Sequence, residues 1–181
     1  MTEDKEILDA LHEEGKQDYA FSLLVRKYSE RLYWHIRKIV FDHDDADDLL
    51  QNTLIKAWKN LPGFREESRL YTWLYRIATN EALNFLKSRR VKSFLSLKGY
   101  EKAIEDRFTT SQYFNGDEIT RRLYRAMEKL PPRQKAVFIM RYFEEMKMDE
   151  IAEIIGRSTG AVKATYHHAF LKMKNFLSED D

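Results

Sequence analysis

The sequence of 181 residues predicts an all-α protein with two helical domains joined by a linker. Apolar residues recur at spacings of three and four along most of the chain, which is the period of helices that bury one face. Only three prolines and six glycines interrupt this pattern, so few sharp turns are encoded. The periodicity weakens after Arg90 and resumes near Asp117, which places the domains at residues 1–90 and 117–181 and the linker at 91–116.

Charge is distributed unevenly along the chain, although the net charge is only +1. Residues 1–61 carry 9 Lys/Arg and 13 Asp/Glu, a net of −4, whereas residues 62–98 carry 8 and 3, a net of +5. An acidic segment followed by a basic one favours two partners of opposite character, namely a protein surface and a polyanion.

The composition excludes several classes of protein. The chain has no cysteine, which rules out disulfides, thiolate zinc sites and a cysteine nucleophile. The acidic N-terminal segment lacks the apolar run of a signal peptide, and no apolar stretch reaches the roughly 18 residues of a membrane span. We therefore expect a cytoplasmic protein without membrane insertion. We find no nucleophile–base grouping, Gly-rich phosphate loop or metal-ligand spacing, so we expect neither an enzyme nor a cofactor.

Two helices are predicted at the start of the chain. The first covers about residues 3–14, and the second begins near Gln17 or Asp18 and ends near Val40. Apolar residues spaced by three and four make the second helix a core-forming element.

An acidic run over residues 41–48 begins the third predicted helix, which ends near Asn60. We expect Asp44 or Asp45 to be its N-cap, and because the run lacks the pattern of a calcium loop we expect no metal. The inner side is predicted to hold Ala46, Leu50, Leu54, Ala57 and Leu61. The outer side, either a docking surface or merely a solvated face, holds Asp48, Gln51, Asn52, Ile55 and Lys59.

Residues 68–90 are interpreted as one amphipathic helix with Ser68 as its N-cap. At about 100° per residue, its core face is formed by Tyr71, Leu74, Tyr75, Ala78, Ala82, Phe85 and Leu86. The opposite face, which we call the polar–aromatic stripe, consists of Trp73, Arg76, Asn80, Asn84 and Lys87. These residues suit unpaired nucleic acid because bases stack on aromatic rings, amides read base edges and cations hold phosphates. The alternative is a solvated face whose tryptophan packs against a neighbouring loop.

The segments on either side of this helix carry further signals. Phe64 and Arg65 in the preceding loop are placed to form the wall of a base pocket. The linker begins with a basic run and keeps many apolar residues, so we expect it to pack on its own domains or on a partner.

The second domain is predicted to contain a helix that ends before Pro131, followed by a helix from Arg133 to Tyr142. The first of these is expected to line the core with Ile119, Leu123, Ala126, Met127 and Leu130.

Residues 148–163 have the spacing of a helix-turn-helix, although any tight helical hairpin would share part of it. Small Ala152 allows close approach of the two helices, Gly156 ends the first helix in a left-handed conformation, and Ser158 caps the second. Val162 is expected to pack back on the first helix. The second helix, about Thr159 to Leu177, would enter a DNA major groove.

With these motifs, the chain resembles the extracytoplasmic-function (ECF, group 4) sigma factors of bacterial RNA polymerase over nearly its whole length. Residues 45–58, DADDLLQNTLIKAW, are similar to the part of region 2 that binds core polymerase. The segment from Phe64 through residues 71–80, YTWLYRIATN, is similar to the part that melts and reads the −10 element. Residues 130–138, LPPRQKAVF, and the helix-turn-helix are similar to region 4, which reads the −35 element.

The resemblance implies a factor that binds core RNA polymerase and promoter DNA, promotes melting, and is held in check by an anti-sigma factor. The residues implied to bind the clamp of the largest polymerase subunit are Asp47, Asp48, Gln51, Asn52 and Ile55. Those implied for the unpaired −10 strand are Phe64, Arg65, Trp73, Arg76, Asn80, Asn84 and Lys87. Those implied for the −35 duplex are Arg133, Arg141, Ser158, Thr159, Lys163, Ala164, His167 and His168.

Two departures from the family pattern are visible. Asn52 stands where the family more often has an acid, and Thr165, His168 and Phe170 stand where it usually has arginine. Fewer phosphate contacts imply weaker and less salt-dependent −35 binding. The competing interpretation is a one-component regulator with a sensor domain and a helix-turn-helix. The polar–aromatic stripe argues against it, because a repressor that binds duplex DNA has no use for such a surface.

Overall fold

The computed structural model describes residues 3–95 and 118–179, and all regular structure in these two ranges is helical. The predicted all-α class is therefore confirmed. Backbone contacts divide the chain into two compact units, Met1–Ala82 and Leu83–Asp181. The predicted linker lies outside the described residues from position 96 onward. No helix in the described ranges is long and apolar enough to cross a membrane.

The first unit begins with three complete helices and the start of a fourth. They are α1 (Glu3–His12), α2 (Gln17–Val40), α3 (His43–Asn60) and α4 (Leu70–Leu95), which continues past the division. A short 3₁₀ turn, Leu61–Gly63, follows α3. The predicted bounds of α2 are confirmed at both ends. One face of α2 is buried along its length, at Ala20, Leu24, Tyr28, Leu32, Ile36 and Ile39.

Helix α1 is tied to α2 through Asp4. Its Oδ1 accepts hydrogen bonds from Lys27 Nζ at 2.7 Å and from Tyr28 Oη at 2.6 Å. Burial alone would raise the pKa of the Asp4 carboxyl, but the two hydrogen bonds and the Lys27 charge outweigh it and leave the pKa below its ordinary value.

Helix α3 starts earlier than predicted, and the expected cap at Asp44 or Asp45 is wrong. Phe41 adopts a left-handed conformation (φ 60°), which leaves Asp42 extended. Asp42 Oδ1 then accepts the Asp45 N–H at 3.0 Å and is the N-cap. Burial of Phe41, which is 2% exposed, holds this uncommon backbone conformation in place.

The inner side of α3 is only partly as predicted. Ala46, Ala57 and Leu61 are buried, but Leu50 and Leu54 are only half-buried. Leu49 and Thr53 are buried as well, and the Thr53 hydroxyl donates to the Leu49 carbonyl at 2.7 Å, so the polar group has a partner within the helix.

Helix α4 differs from the prediction at both ends. It begins at Leu70, so Ser68 lies outside the N-cap position, and it continues to Leu95, five residues beyond the predicted end. No proline or glycine stands between Arg90 and Leu95 to end it.

A buried polar contact connects α2 and α4. The His35 and Thr79 side chains are fully buried, and a His35 ring nitrogen lies 2.8 Å from the Thr79 hydroxyl. The same imidazole packs against Tyr75 with ring centroids 4.7 Å apart. These contacts fix which side of α4 faces the core.

The second unit contains α5 (Glu118–Glu128), α6 (Pro132–Tyr142), α7 (Met148–Ile155) and α8 (Thr159–Glu179). Its core includes Met127, Leu130, Ala136, Ile139, Met140, Ile151, Val162 and Ala169. The predicted core role of Ile119 is wrong: this residue is 74% exposed, since it lies in the first turn of α5.

The helix-turn-helix is confirmed by its turn. Gly156 has a φ of +68° and its N–H donates to the Ala152 carbonyl at 2.9 Å. The Ser158 hydroxyl accepts the Ala161 N–H at 3.3 Å, and Val162 is 1% exposed. Each local requirement of the motif is therefore met.

Lys135 is an unexpected member of this core. Its ammonium lies 3.2 Å from Glu128 Oε2, and the residue is 2% exposed. Burial lowers the pKa of Lys135 below its ordinary value, although the Glu128 carboxylate opposes this.

Candidate nucleic-acid and polymerase interfaces

The polar–aromatic stripe lies on the solvent side of α4, as predicted. Arg76, Asn80, Asn84 and Lys87 are exposed and Trp73 is half-buried. The opposite face of the helix is buried at Leu74, Tyr75, Ala78 and Ala82. The exposed members of the stripe therefore lie opposite the buried face, while Tyr71, Phe85 and Leu86 of the predicted core face are only half-buried.

Trp73 is supported from the loop before α4. The rings of Phe64 and Trp73 are 5.2 Å apart at an angle of 47°, and Phe64 is only 9% exposed. Arg65, the next residue, is exposed. The Phe64 ring thus packs against the indole of Trp73, whereas the Arg65 side chain is exposed to solvent.

A contact between α3 and α4 also orients this surface. Lys56 of α3 forms an ion pair with Glu81 of α4, whose side chain is 14% exposed. Glu81 is adjacent to Asn80 in sequence, so the ion pair and the His35–Thr79 contact fix the helix on both sides of the stripe. Neither contact was anticipated, because hydrophobic periodicity carries no information about polar contacts between helices.

The outer side of α3 is exposed as predicted at Asp48, Gln51, Asn52 and Ile55. Asp47 is half-buried and lies 3.5 Å from a ring nitrogen of His43, one turn earlier. The surface therefore combines carboxylate and amide groups with one apolar side chain.

An apolar groove adjoins this surface and was missed by the sequence analysis. It is an open depression of about 440 Å³ lined by Asp18, Phe21, Leu54, Ile55 and Trp58. Ile55 is 50% exposed and Trp58 is 40% exposed. The Trp58 ring meets Phe21 edge-on at 5.0 Å. The signal was the spacing of three between Ile55 and Trp58, which puts both on one helix face.

The implied −35 residues differ in their availability. Lys163, Ala164, His167 and His168 are exposed on α8, the second helix of the helix-turn-helix, and Arg133 is exposed at the start of α6. Arg141 is exposed as well, but its guanidinium donates to the Met146 carbonyl at 2.9 Å and so braces the turn before α7. Ser158 and Thr159 use their hydroxyls within the motif, to Ala161 and Asp149 respectively.

Comparison with known proteins defines the class. Residues 24–91 match the family model of Sigma-70 region 2, and residues 120–173 match that of Sigma-70, region 4. The order of the two matches is that of a sigma-70-type transcription initiation factor. The chain is 30% identical over 175 residues to the RNA polymerase sigma-H factor of Pseudomonas aeruginosa, covering 92% of this chain and 90% of that protein. It is 27% identical over 161 residues to the ECF RNA polymerase sigma factor SigW of Bacillus subtilis, covering 84% and 86%. The chain belongs to the ECF RNA polymerase sigma factors.

Solved structures share the fold. CnrH, in complex with the cytosolic domain of CnrY, matches with a TM-score of 0.69 and 21% identity over 99% of both chains. The sigma factor RpoE of Bartonella quintana, in complex with the anti-sigma factor NepR, matches with a TM-score of 0.63 and 23% identity, covering 89% of this chain and 98% of that one.

Proposed function

We propose that this ECF sigma factor directs core RNA polymerase to promoters in the cytoplasm and traps the unpaired −10 strand on α4. Residues 1–90 would bind polymerase and the −10 element, and residues 117–181 would bind the −35 duplex, with residues 91–116 as the connection. The polar–aromatic stripe is the single observation that carries the proposal, because it brings one aromatic ring, two exposed amides and two exposed cations together on one face of α4. The packing of Trp73 on Phe64 is also expected of a solvated face, so the exposed amides and cations carry the argument.

The chemistry of the stripe fits capture of single-stranded bases. Trp73, held in place by Phe64, offers a fixed ring on which a base can stack, and Asn80 and Asn84 offer amides for base edges. Stacking contributes about 1–3 kcal/mol per base, while unstacking a step costs a few kcal/mol. Capture of one base on Trp73, together with the amide and phosphate contacts of the stripe, would therefore offset part of the cost of local melting without nucleotide hydrolysis by this chain.

The α3 surface supports polymerase binding. Its exposed Asp48, Gln51 and Asn52 supply acid and amide groups, and Ile55 supplies an apolar contact. Charged and amide groups on a rigid helix give orientation and specificity, and an apolar anchor contributes affinity. We assign this face to the clamp of the largest polymerase subunit.

Control by an anti-sigma factor is also part of the proposal. The B. quintana RpoE structure contains the anti-sigma factor NepR, which supports such a partner for this chain. Ile55 and Trp58 leave apolar area in solvent that a partner would cover.

Run-off transcription tests the proposal. Purified core polymerase is supplied with genomic fragments, with and without this protein, and transcripts are mapped. Promoter-specific transcripts are expected with wild type, and the double variant Trp73→Ala/Asn80→Ala is expected to lose them while still binding polymerase in a pull-down. Asn175→Ala, an exposed amide on α8, is the matched control and should transcribe as wild type.

Two results would count against the proposal. Full transcription by the double variant would contradict the proposal that the polar–aromatic stripe binds the −10 strand. Tight binding to duplex DNA in the absence of polymerase, without any transcripts, would favour a one-component regulator.

A further inference from the structure

Hydroxyl groups near the start of α8 already make hydrogen bonds to other groups of the protein. Ser158 Oγ accepts the Ala161 N–H at 3.3 Å, and the Thr159 hydroxyl donates to Asp149 Oδ1 at 2.7 Å. The Thr165 hydroxyl donates to the Ala161 carbonyl at 2.8 Å. Donation of a hydrogen bond from either threonine to a base edge would first have to break one of these contacts, whereas the Ser158 hydroxyl, which only accepts here, can still donate.

Methyl groups form one part of the surface at this end of α8. Ala161 and Ala164 are exposed and Thr165 is half-buried, with its hydroxyl turned to the helix backbone, so that the methyl group is the part of this side chain left for contact. At about 100° per residue these three positions fall within one third of the helix circumference. The exposed Lys163 lies to one side of them.

Packing within the unit does not require a glycine at position 160. A Cβ built on Gly160 would meet no atom within 4 Å. The first turn of α8 therefore leaves open space in which another molecule can approach closely.

The chemistry of this surface differs from that of an arginine-bearing helix. Guanine is read in the major groove mainly by bidentate arginine or lysine, and α8 contains no arginine. Thymine alone presents a methyl group there, at C5, and alanine and threonine methyls contact it. The exposed methyl groups of Ala161 and Ala164 and the half-buried Thr165 are matched to thymine, whereas the exposed Lys163 is the side chain of this turn that could read guanine.

We propose that the −35 surface of this chain selects thymine by contact of its C5 methyl with Ala161, Ala164 and the Thr165 methyl group. This inference rests on the proposed function, in which α8 enters the major groove of the −35 duplex. Burial of one methyl group changes affinity by about fourfold. A site with two such thymines therefore gains about 16-fold over the same site with uracil.

The test uses the full-length protein with core polymerase. Holoenzyme selects from duplexes that are randomised over the −35 segment and carry a −10 segment taken from a run-off promoter. We expect thymine to be enriched at two or more positions. Those thymines are then replaced by deoxyuridine, which pairs identically but lacks the methyl group, and binding is expected to fall about fourfold at each position.

Two variants assign the effect to this helix. Thr165→Ser keeps the hydroxyl that bonds to Ala161 and removes the methyl, so it should lose the preference for thymine over uracil at one position. Thr165→Val keeps methyl groups, loses the hydroxyl, and should retain that preference.

The outcomes separate this inference from the function on which it rests. Selection of a −35 segment without enriched thymine, or equal binding of the thymine and deoxyuridine duplexes, would overturn the inference and leave promoter-directed transcription intact. Absence of transcripts from every fragment would defeat the proposed function and the inference together.

Discussion

Replacement of Thr79 by valine should destabilise the first unit, although it barely changes the shape of the side chain. Thr79 and His35 are both fully buried, and the hydroxyl lies 2.8 Å from a ring nitrogen of the histidine. Valine fills the same space with a methyl group and leaves that nitrogen facing a hydrocarbon. This substitution is not a neutral exchange of equal volumes, because it removes a buried polar partner.

The size of the effect follows from this single contact. A net hydrogen bond contributes about 0.5–1.5 kcal/mol, and a buried polar group left without a partner costs about 1–3 kcal/mol. We expect a loss of about 2 kcal/mol in the free energy of unfolding. For a unit of this size, 1 kcal/mol corresponds to about 4–8 °C, so the melting midpoint should fall by about 8–16 °C.

Tryptophan fluorescence reports this change selectively. The chain has three tryptophans, Trp34, Trp58 and Trp73, and all lie in the first unit. Urea unfolding followed by their emission should show a lower midpoint with an unchanged slope for Thr79→Val. Unfolding followed by circular dichroism reports both units and provides the comparison.

Thr79→Ser is the matched control, since it keeps the hydroxyl and removes only the methyl group. It should lie between wild type and Thr79→Val in stability. If the valine variant were as stable as wild type, or the serine variant were the less stable of the two, the histidine contact would not be what fixes α4 on α2.

Two further predictions concern other parts of the fold. Asp4→Asn should cost about 1 kcal/mol near neutral pH, because it weakens charge-assisted hydrogen bonds. Since the folded-state pKa of Asp4 lies below 3.8, this difference should be full above that pH and disappear as the pH falls through the folded value, as measured by urea midpoints from pH 7 to 3. Gly156→Ala should destabilise the helix-turn-helix by about 1 kcal/mol because of its positive φ, with faster amide exchange in α7 and α8. Gly160→Ala, in open space with no positive φ, should have the opposite effect, and equal exchange in both variants would contradict this reasoning.

The parts of the fold that sequence reasoning predicted are those with local physical requirements. The spacing of apolar residues predicted the bounds of α2, because a helix that buries one face needs an apolar residue every three or four positions. The helix-turn-helix was predictable because Gly156, Ser158 and Val162 each satisfy a need of the turn itself.

The sequence-based predictions were wrong or incomplete where several residues of one type could take the same N-cap position, or where contacts with distant residues determine burial. Five aspartates stand between positions 42 and 48, and the left-handed Phe41 determines which of them becomes the cap of α3. The burial of His35 and Lys135 depends on their partners Thr79 and Glu128, which are 44 and 7 residues away in the sequence. A periodic pattern of apolar residues does not reveal such partners. The braced position of Arg141 likewise depends on the backbone path of the next turn.

Because α4 is one continuous helix, it fixes the spacing between the residues of the polar–aromatic stripe. Fourteen steps separate Trp73 from Lys87, which at about 1.5 Å per residue is about 21 Å. A strand with the stacked spacing of about 3.4 Å would pass about six nucleotides along that length. Deletion of one residue in the middle of α4 would rotate all the following side chains by about 100° about the helix axis. The residues of the stripe would then no longer lie on one face. An insertion or deletion in this segment should therefore disturb the stripe more than most single substitutions would.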